Sequence, residues 1–524
     1  MTPTMGLQLL LVAAGAIAVA AVARRRGWPA PLLLVAAGLL VSPMVPEVPL
    51  EPELVLYVFL PPLLYSAALD SSYLRLRDVR QAVGLLSVGL VLFTTAVVGL
   101  VVHLMLPDLP LALAFALGAI IAPPDAVAAV AVGRRLGLPR RALTILIGES
   151  LFNDATALTL YRVAIGAALG GAVSVWEGLG EFVFAAVGGV VIGLVLAVAL
   201  AWLFQRTRDS LVENTLMLLI PFAAYLAAES VHASGVIAVV IVGLYLGNRM
   251  HLRGFGSRLV SDAVWKVTDF FLEAVVFALI GLQLVTVVRG IAGYGPWEVA
   301  GYAAAVLAVS IVARFAWVFG RTSLLKLLGR PRPTAAETVI LGWAGMRGVV
   351  SLAAAFAIPP AVPARDRALL LFLTFTTVIG TLLIQGTTFP ALIRRLRVSS
   401  EQECYEDRLA EAAAQQAALE AGLAELDRLV GEQEGEPDQI QKQVIDQLRE
   451  KSWRRSLTAW ERLGGGAGPG GAETPSALYR RLRRDMLQAE RQVFVRLRDE
   501  RRLDDEVLRE VMAQLDFEEA ILER

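Results

Sequence analysis

Four polar side chains that could hold an ion lie inside one apolar stretch of the sequence. The segment GESLFNDATAL, residues 148–158, contains Glu149, Ser150, Asn153 and Asp154. At about 100° per residue these side chains fall within roughly 140° of a helix, and the apolar residues between them point away. Carboxylate, hydroxyl and amide oxygens on one face are ligands that suit a small dehydrated monovalent cation.

The composition places this polar face in a membrane protein. Hydrophobic residues make up 56% of the 524-residue chain and charged residues 18%, with a mean hydropathy of +0.61, outside the range of ordinary soluble domains. Residues 1–396 carry 28 Lys/Arg and 20 Asp/Glu, whereas residues 397–524 carry 20 and 28. This change predicts a membrane domain at 1–396 and a charged, cytoplasmic, helical tail at 397–524. One cysteine and three histidines offer no zinc-type ligand cluster.

Thirteen apolar segments are candidates for transmembrane helices, because about 20 apolar residues cross a ~30 Å hydrocarbon core. They lie near residues 6–22, 29–43, 53–69, 81–106, 111–132, 142–170, 179–204, 212–231, 234–248, 266–288, 297–320, 334–359 and 366–393. The first has no basic residue before it and therefore lacks the n-region of a cleaved signal peptide. The sequence predicts an all-α polytopic membrane protein.

Basic residues alternate between the loops that connect these segments. Six alternate loops contain 20 Lys and Arg residues, whereas the intervening loops contain only Arg289, Arg365 and Arg367. Basic residues concentrate on the cytoplasmic side of membrane proteins. The ratio therefore predicts an odd number of spans, with the N-terminus outside and the tail in the cytoplasm. The expected location is a bacterial-type plasma membrane.

Two of the predicted spans contain helix-breaking residues at corresponding positions. The fifth contains GAIIAPPDAVAAV (118–130), with two prolines before Asp125, and the twelfth contains LGWAGMRGVVSL (341–352), with three glycines around Arg347. Thirteen spans divide into two six-helix repeats and a linking helix, which makes each break fifth in its half. Proline and glycine often merely kink membrane helices, but matched breaks that each carry an ionisable residue favour a midplane substrate site between inverted repeats.

Asp154 is predicted to turn toward the broken fifth span. There Asp125, Ser150, Asn153 and backbone carbonyls freed by the prolines would supply oxygen atoms. Burial disfavours a charged carboxylate because the charged form loses its water, and either a proton or a cation relieves that cost. If Asp154 crosses only when neutralised, exchange of a cation for a proton follows.

The remaining intramembrane charges receive structural interpretations. Glu149 is predicted to form an ion pair with Arg347, because an unpaired arginine at this depth is costly. Arg314, in VARFAWVF, is interpreted as structural rather than ion-handling. For Glu229 and Glu273 a position at the rim and a pairing role are both open.

These motifs resemble those of the sodium/proton exchanger family of monovalent cation/proton antiporters. The resemblance covers most of residues 10–396, and ESLFNDATAL is its strongest point. It is joined by FLPPLLYSAALD (59–70), APPDAVA, VVFALIGLQL (275–284) and GMRGVVSLA. Each motif alone is weak, but their order and spacing together are specific.

The resemblance implies a thirteen-helix inverted-repeat fold, a homodimer, and an elevator movement of a core bundle against a dimerisation bundle. It implies that Asp154 carries the cation and the proton, that Asp125 and Ser150 help to bind Na⁺, and that K⁺ and Li⁺ are alternative cations. Asn153 stands where electrogenic relatives have a second Asp, which implies electroneutral exchange, and Glu149 and Arg347 match the buried pair of the family. No resident cofactor is expected.

One departure from the family pattern concerns the break in the fifth span. Many relatives read Thr-Asp-Pro there, whereas this chain reads Pro124-Asp125-Ala126. The threonine hydroxyl is therefore missing, which leaves the coordination of the cation and the selectivity for Na⁺ over K⁺ or Li⁺ open.

The tail is predicted to be helical. Residues 407–430 place leucines at helical spacing, and residues 476–523 are strongly charged. Between them GGGAGPGG (464–471) has no preceding strand, which favours a flexible linker over a phosphate-binding loop. The mixed charges form no basic stripe, so nucleic-acid binding is not indicated. A regulatory or dimer-stabilising tail and a plain solvated one are equally open.

Two rival functions use some of the same features. A sodium-coupled symporter for an organic solute would also have broken helices, but it needs a larger pocket with convergent aromatic or amide groups than these few small polar residues provide. A membrane receptor with a signalling tail would leave Asp154 without a chemical task. The sequence therefore predicts a transporter rather than an enzyme, acting in cation transport and pH homeostasis within a lipid bilayer.

Overall fold

The protein is described by a computed structural model that covers residues 3–42, 55–170, 175–207, 209–250, 253–291, 293–329, 333–398, 401–432, 438–463 and 473–523. It divides into two compact units, Met1–Ser399 and Ser400–Arg524. Both units are helical. The predicted linker at 464–471 lies outside the described residues.

The first unit consists of helices joined by short loops. Its first half contains α1 (Pro3–Arg26), α2 (Ala30–Val41), α3 (Leu60–Leu69), α4 (Tyr73–Asp78), α5 (Arg80–Gly84), α6 (Val91–Met105), α7 (Leu111–Ile121), α8 (Ala126–Arg135) and α9 (Arg140–Ala168). Its second half contains α10 (Val175–Arg206), α11 (Ser210–Glu229), α12 (Gly235–Asn248), α13 (Phe255–Gly290), α14 (Pro296–Leu327), α15 (Ala335–Trp343), α16 (Val349–Phe356), α17 (Ala364–Thr381) and α18 (Thr387–Leu396). Three π-helical segments continue into neighbouring helices, at Val55–Phe59, Leu85–Leu90 and Leu382–Gly386.

Helices lie at each of the predicted apolar segments. Within the described part of the chain, seven helices are long and apolar enough to cross a membrane, and three shorter helices are also apolar. The helix α9, which carries the polar face, is not one of the seven. The count of thirteen spans and the inverted repeat therefore stay predictions, whereas the helical, multi-span character is confirmed.

Both predicted helix breaks are present. The fifth segment is interrupted between α7 and α8, at the two prolines, and the twelfth between α15 and α16, at the glycines. At the first break Asp125 is the N-cap of α8, and its carboxylate accepts a hydrogen bond from the backbone N–H of Val127 at 2.9 Å. The side chain thus satisfies a backbone donor that the interruption frees.

Small residues allow the membrane helices to pack closely. Helices α2 and α13 meet at Gly38 and Gly281, where an added Cβ atom would lie 2.4 Å from the carbonyl oxygen of Ala278 and 2.3 Å from that of Val35. Such close backbone approach is how helices associate without a hydrophobic driving force from lipid. Helix α9 packs against α7, α8 and the π-helical segment Leu85–Leu90, so its polar face lies next to the first break.

The second unit comprises α19 (Glu401–Gly431), α20 (Gln439–Leu463), α21 (Pro475–Asp499) and α22 (Asp505–Glu523). Helix α19 pairs with α20, and α21 pairs with α22. Arg483 of α21 donates from Nε and Nη2 to both carboxylate oxygens of Glu518 on α22, at 2.7 and 2.8 Å. The predicted helices at 407–430 and 476–523 therefore lie within helices of this unit.

Candidate functional site

Helix α9 carries the polar residues of the site on its buried side. The exposed fractions of Glu149, Asn153 and Asp154 are 1%, 0% and 6%, and Ser150 is half-buried. Spacings of three and four residues, from Glu149 to Asn153 and from Ser150 to Asn153 and Asp154, place all four side chains on one face. This is the face that the sequence predicts.

The two helix breaks contact each other directly. The backbone N–H of Asp125, in the first break, donates to the carbonyl of Met346, in the second, at 2.7 Å. A Cβ atom added at Gly348 would lie 1.9 Å from Oδ2 of Asp125, so only glycine allows the second break to come this close. The bond also satisfies two backbone groups that the interrupted helices cannot pair internally.

Two bonds join α9 to the first break. Nδ2 of Asn153 donates to the carbonyl of Pro124 at 2.8 Å, and the backbone N–H of Ala126 donates to Oγ of Ser150 at 3.4 Å. Oδ1 of Asn153 is buried, and no described group bonds to it. The structure thus brings Ser150 and Asn153 to the residues that flank Asp125.

Asp154 follows Asn153 on α9, next to the bonds that join this helix to the first break. Its carboxylate is buried and interacts electrostatically with that of Asp125. Among the described residues, none donates a hydrogen bond to it. The carboxylates of Asp125 and Asp154 therefore lie near the neutral oxygens of Ser150 and Asn153, and no described guanidinium bonds to either acid.

The predicted pair of Glu149 with Arg347 is wrong, because Glu149 pairs with Arg314 of α14. The Arg314 guanidinium bonds both carboxylate oxygens of Glu149, with Nη2 donating to Oε2 at 2.9 Å and Nη1 donating to Oε1 at 2.5 Å. Its Nε donates to the carbonyl of Leu341 at 3.0 Å, at the end of α15. Arg314 therefore ties α9 and α14 to the second break, in agreement with the structural interpretation of this arginine.

Arg347 is buried in the second break without forming that pair. Its side chain is 2% exposed, and neither Nε nor Nη1 has a hydrogen-bond partner among the described residues. Its backbone N–H donates to Oγ1 of Thr381 at 3.1 Å. The guanidinium still interacts electrostatically with Glu149 and with Arg314, so its charge acts on the site through space.

The structure also places three acids whose roles the sequence left open or missed. Glu229 pairs with Arg162 of α9, whose Nη2 lies 2.8 Å from Oε2, and accepts the backbone N–H of Gly235 at 3.2 Å. Glu273, on α13, interacts electrostatically with Asp125 and with Asp269. Ser66, inside the FLPPLLYSAALD motif, donates to Asp269 at 2.5 Å. The motif indicated that this region is important, but no spacing in the sequence showed that Ser66 contacts α13.

Comparison with known proteins decides the family of this chain. The family model described as "Sodium/hydrogen exchanger, transmembrane" matches residues 10–395. The chain belongs to this family. The exchanger is 34% identical over 511 residues to an uncharacterized Na⁺/H⁺ exchanger of Mycobacterium tuberculosis, covering 94% of this chain and 91% of that one. It is 33% identical over 385 residues to a sodium, potassium, lithium and rubidium/H⁺ antiporter of Bacillus subtilis, covering 70% and 58%.

A solved structure supports the fold. The sodium proton antiporter MjNhaP1 from Methanocaldococcus jannaschii superposes with a TM-score of 0.59 at 23% identity, covering 75% of this exchanger and 97% of that chain. The family resemblance drawn from the motifs is thus confirmed, and the exchanger is a multi-pass membrane protein. The relative from Bacillus subtilis is named as an antiporter, which favours neither the solute symporter nor the receptor.

Proposed function

We propose that the exchanger is a secondary active transporter that exchanges Na⁺ for H⁺ across the membrane, with both ions competing for Asp154. The observation that carries this proposal is the position of a buried carboxylate beside two helix breaks that contact each other, next to Asp125 and the neutral oxygens of Ser150 and Asn153. Oxygen ligands of this type suit a hard monovalent cation.

Competition follows from the cost of burying charge. An ionised carboxylate in a low-dielectric interior is unfavourable unless it is paired, and no described basic side chain bonds to Asp154. A bound Na⁺ or a bound proton relieves the same cost. Because each neutralises the same oxygens, each excludes the other, and the site carries one of them in each direction.

The charges around the site support an exchange of one Na⁺ for one H⁺. Glu149 and Arg314 neutralise each other. Asp125 accepts the backbone N–H of Val127 as the N-cap of α8, so Asp154 is the carboxylate of α9 that no described group hydrogen-bonds, and it carries a single cation or proton. Asn153 cannot ionise, and its amide is bonded to the first break, so it adds no second proton carrier. Electroneutral exchange is the result.

Ligands and cation range are proposed from the same geometry. Asp154, Asp125 and Ser150 bind the cation, and Asn153 positions the broken helix while its Oδ1 stays available as a further oxygen. The proline carbonyl already accepts a bond from Asn153, and the chain lacks the threonine of many relatives. The antiporter of Bacillus subtilis is named for sodium, potassium, lithium and rubidium, which supports K⁺ and Li⁺ as alternative transported cations.

The wider mechanism is proposed from the family. The exchanger works by alternating access as a homodimer, without a resident cofactor, and contributes to pH homeostasis. The 20-to-3 distribution of basic residues between alternate loops supports a plasma-membrane orientation with the N-terminus outside and the tail in the cytoplasm.

The test is cation-driven pH change in proteoliposomes that contain the purified exchanger. Asp154→Asn should abolish Na⁺/H⁺ exchange while the protein still folds. The matched control is Asp262→Asn, the same chemical change at a side chain that is 60% exposed and paired with Lys266, which should leave exchange intact. Exchange by Asp154→Asn at the rate of the parent would refute the role of Asp154, and a strong dependence on imposed voltage would refute the stoichiometry.

A further inference from the structure

A cavity with both charged and apolar lining residues lies at the ends of four helices of the membrane unit, and it shares no lining residue with the candidate ion site. It has a volume of about 380 Å³ and lies between the end of α10, the start of α11, the end of α12 and the start of α13. Small-molecule sites span about 300–1,000 Å³. These helix ends belong to loops that the basic residues of the sequence assign to the cytoplasmic side of the membrane.

Positive charge exceeds negative charge among the described residues that line this cavity. Two arginines, Arg249 and Arg253, face one acid, Glu213. The Arg253–Glu213 contact is long, at 3.4 Å, whereas Nη2 of Arg253 donates to Oγ of Ser257 at 2.6 Å. One acid cannot neutralise two guanidinium groups, so the lining retains a net positive charge.

Arg253 is buried yet incompletely satisfied. Its exposed fraction is 9%, and its Nε is buried with no hydrogen-bond partner among the described residues. A buried donor without an acceptor costs about 1–3 kcal/mol. The protein therefore leaves part of the donor capacity of this guanidinium unused.

Aromatic rings hold both arginines at the cavity. The guanidinium of Arg253 lies 5.3 Å from the ring centroid of Phe204, and that of Arg249 lies 4.4 Å from the centroid of Tyr245. Both distances are within the range of cation–π attraction, which leaves the edge of a guanidinium free to donate. Rigid, oriented guanidinium groups are suited to recognise a phosphate.

The lining combines apolar and polar side chains. Ala201, Phe204 and Leu246 are apolar, whereas Gln205, Thr207 and Arg249 are polar. A ligand that fits this lining has a charged head beside the arginines and an apolar part against the apolar side chains. Basic pockets between membrane helices on the cytoplasmic side bind anionic lipid headgroups.

We infer that this cavity binds the phosphodiester headgroup of an anionic phospholipid from the cytoplasmic leaflet. Arg249 and Arg253 donate to the phosphate, and the apolar residues contact the beginning of an acyl chain. The bound lipid joins the ends of α10, α11, α12 and α13, and it stabilises the folded exchanger by mass action because it binds only the folded state.

The test measures the melting temperature of the purified full-length exchanger in detergent as phosphatidylglycerol or phosphatidylcholine is added. Phosphatidylglycerol should raise Tm saturably, and phosphatidylcholine should not. Loss of one charge-assisted hydrogen bond corresponds to about a tenfold or greater loss of affinity. Arg249→Gln should therefore need at least about ten times more phosphatidylglycerol for the half-maximal shift. Glu213→Gln removes the only acid of the described lining and should need less.

The matched control is Arg365→Gln. Arg365 also lies 4.4 Å from a tyrosine ring centroid, that of Tyr294, but outside this cavity, so its variant should respond as the parent does. Equal shifts with both lipids, or equal responses of Arg249→Gln and Arg365→Gln, would overturn the inference. A shift produced by millimolar inorganic phosphate, absent in Arg249→Gln, with none from phosphatidylglycerol, would show a free-phosphate site and overturn the lipid assignment. These readouts use no transport, so they are independent of the proposed ion exchange.

Discussion

The pairing of Glu149 with Arg314 rather than Arg347 gives a sharp energetic prediction. Removing one partner of a buried ion pair leaves the other charge uncompensated and costs about 3–5 kcal/mol. Both side chains of the Glu149–Arg314 pair are 1% exposed, so solvent provides no substitute partner. Arg314→Gln also removes the donor to the carbonyl of Leu341, which adds to the loss. We expect each of Glu149→Gln and Arg314→Gln to destabilise the exchanger by about that amount.

A double-mutant cycle isolates the pair from these side effects. The free energy of unfolding is measured in detergent for both single variants and the double variant, and the coupling energy between Glu149 and Arg314 should be about 2–3 kcal/mol, at the upper end for residues in contact. The same cycle for Glu149 and Arg347 should give less than half of that value, because no hydrogen bond joins them.

An exposed pair provides the reference. Arg162 and Glu229 lie 2.8 Å apart at the end of α11, with side chains that are 43% and 18% exposed, so their coupling should fall within about 0.2–1 kcal/mol. The reasoning is refuted if Glu149 couples more strongly to Arg347 than to Arg314, or if the Glu149–Arg314 coupling is no larger than that of the exposed reference.

The other predictions concern the second break and the tail. Gly348→Ala places a Cβ atom 1.9 Å from Oδ2 of Asp125, so it should abolish exchange and destabilise the protein by at least about 1–3 kcal/mol. Gly320→Ala, inside α14 and with nothing within 4 Å of its added Cβ, should keep exchange and should not lower Tm, because alanine favours a helix more than glycine does; equal behaviour of the two variants would contradict the contact between the breaks. In the tail, the Arg483 guanidinium holds the pKa of the Glu518 carboxyl below its usual range. A folded-state pKa below the unfolded value, about 4.3, means that this pair stabilises α21 and α22 above that value and that the stabilisation is lost as pH falls through the folded-state pKa. Limited proteolysis of the full chain with an acid-tolerant protease should show this loss of protection, whereas Arg483→Gln should be less protected at pH 7 and change less on acidification. An unchanged pH profile in Arg483→Gln would contradict the pairing.

Local features of the sequence predicted most of the parts of the candidate ion site. The polar face of α9 followed from the spacing of Glu149, Asn153 and Asp154, because helical periodicity fixes which side chains share a face. The breaks followed from proline and glycine, whose effects on backbone hydrogen bonding act within four residues. Hydropathy and the distribution of charge predicted a multi-span membrane protein, because both depend on whether a segment lies in lipid or in water. Neither depends on which segments pack beside it.

The tertiary structure alone decided which distant groups meet. Arg314 and Arg347 both lie in apolar segments, and burying either charge is costly, so the sequence gives equal reason to expect a partner for each. Only the packing of α14 beside α9 allows Arg314 to bond both carboxylate oxygens of Glu149. The bond from Asp125 to Met346 and the fit of Gly348 against Asp125 depend likewise on how two breaks cross. Sequence periodicity determines which way a side chain points from its own helix. It does not determine the position of the neighbouring helix, which packing sets.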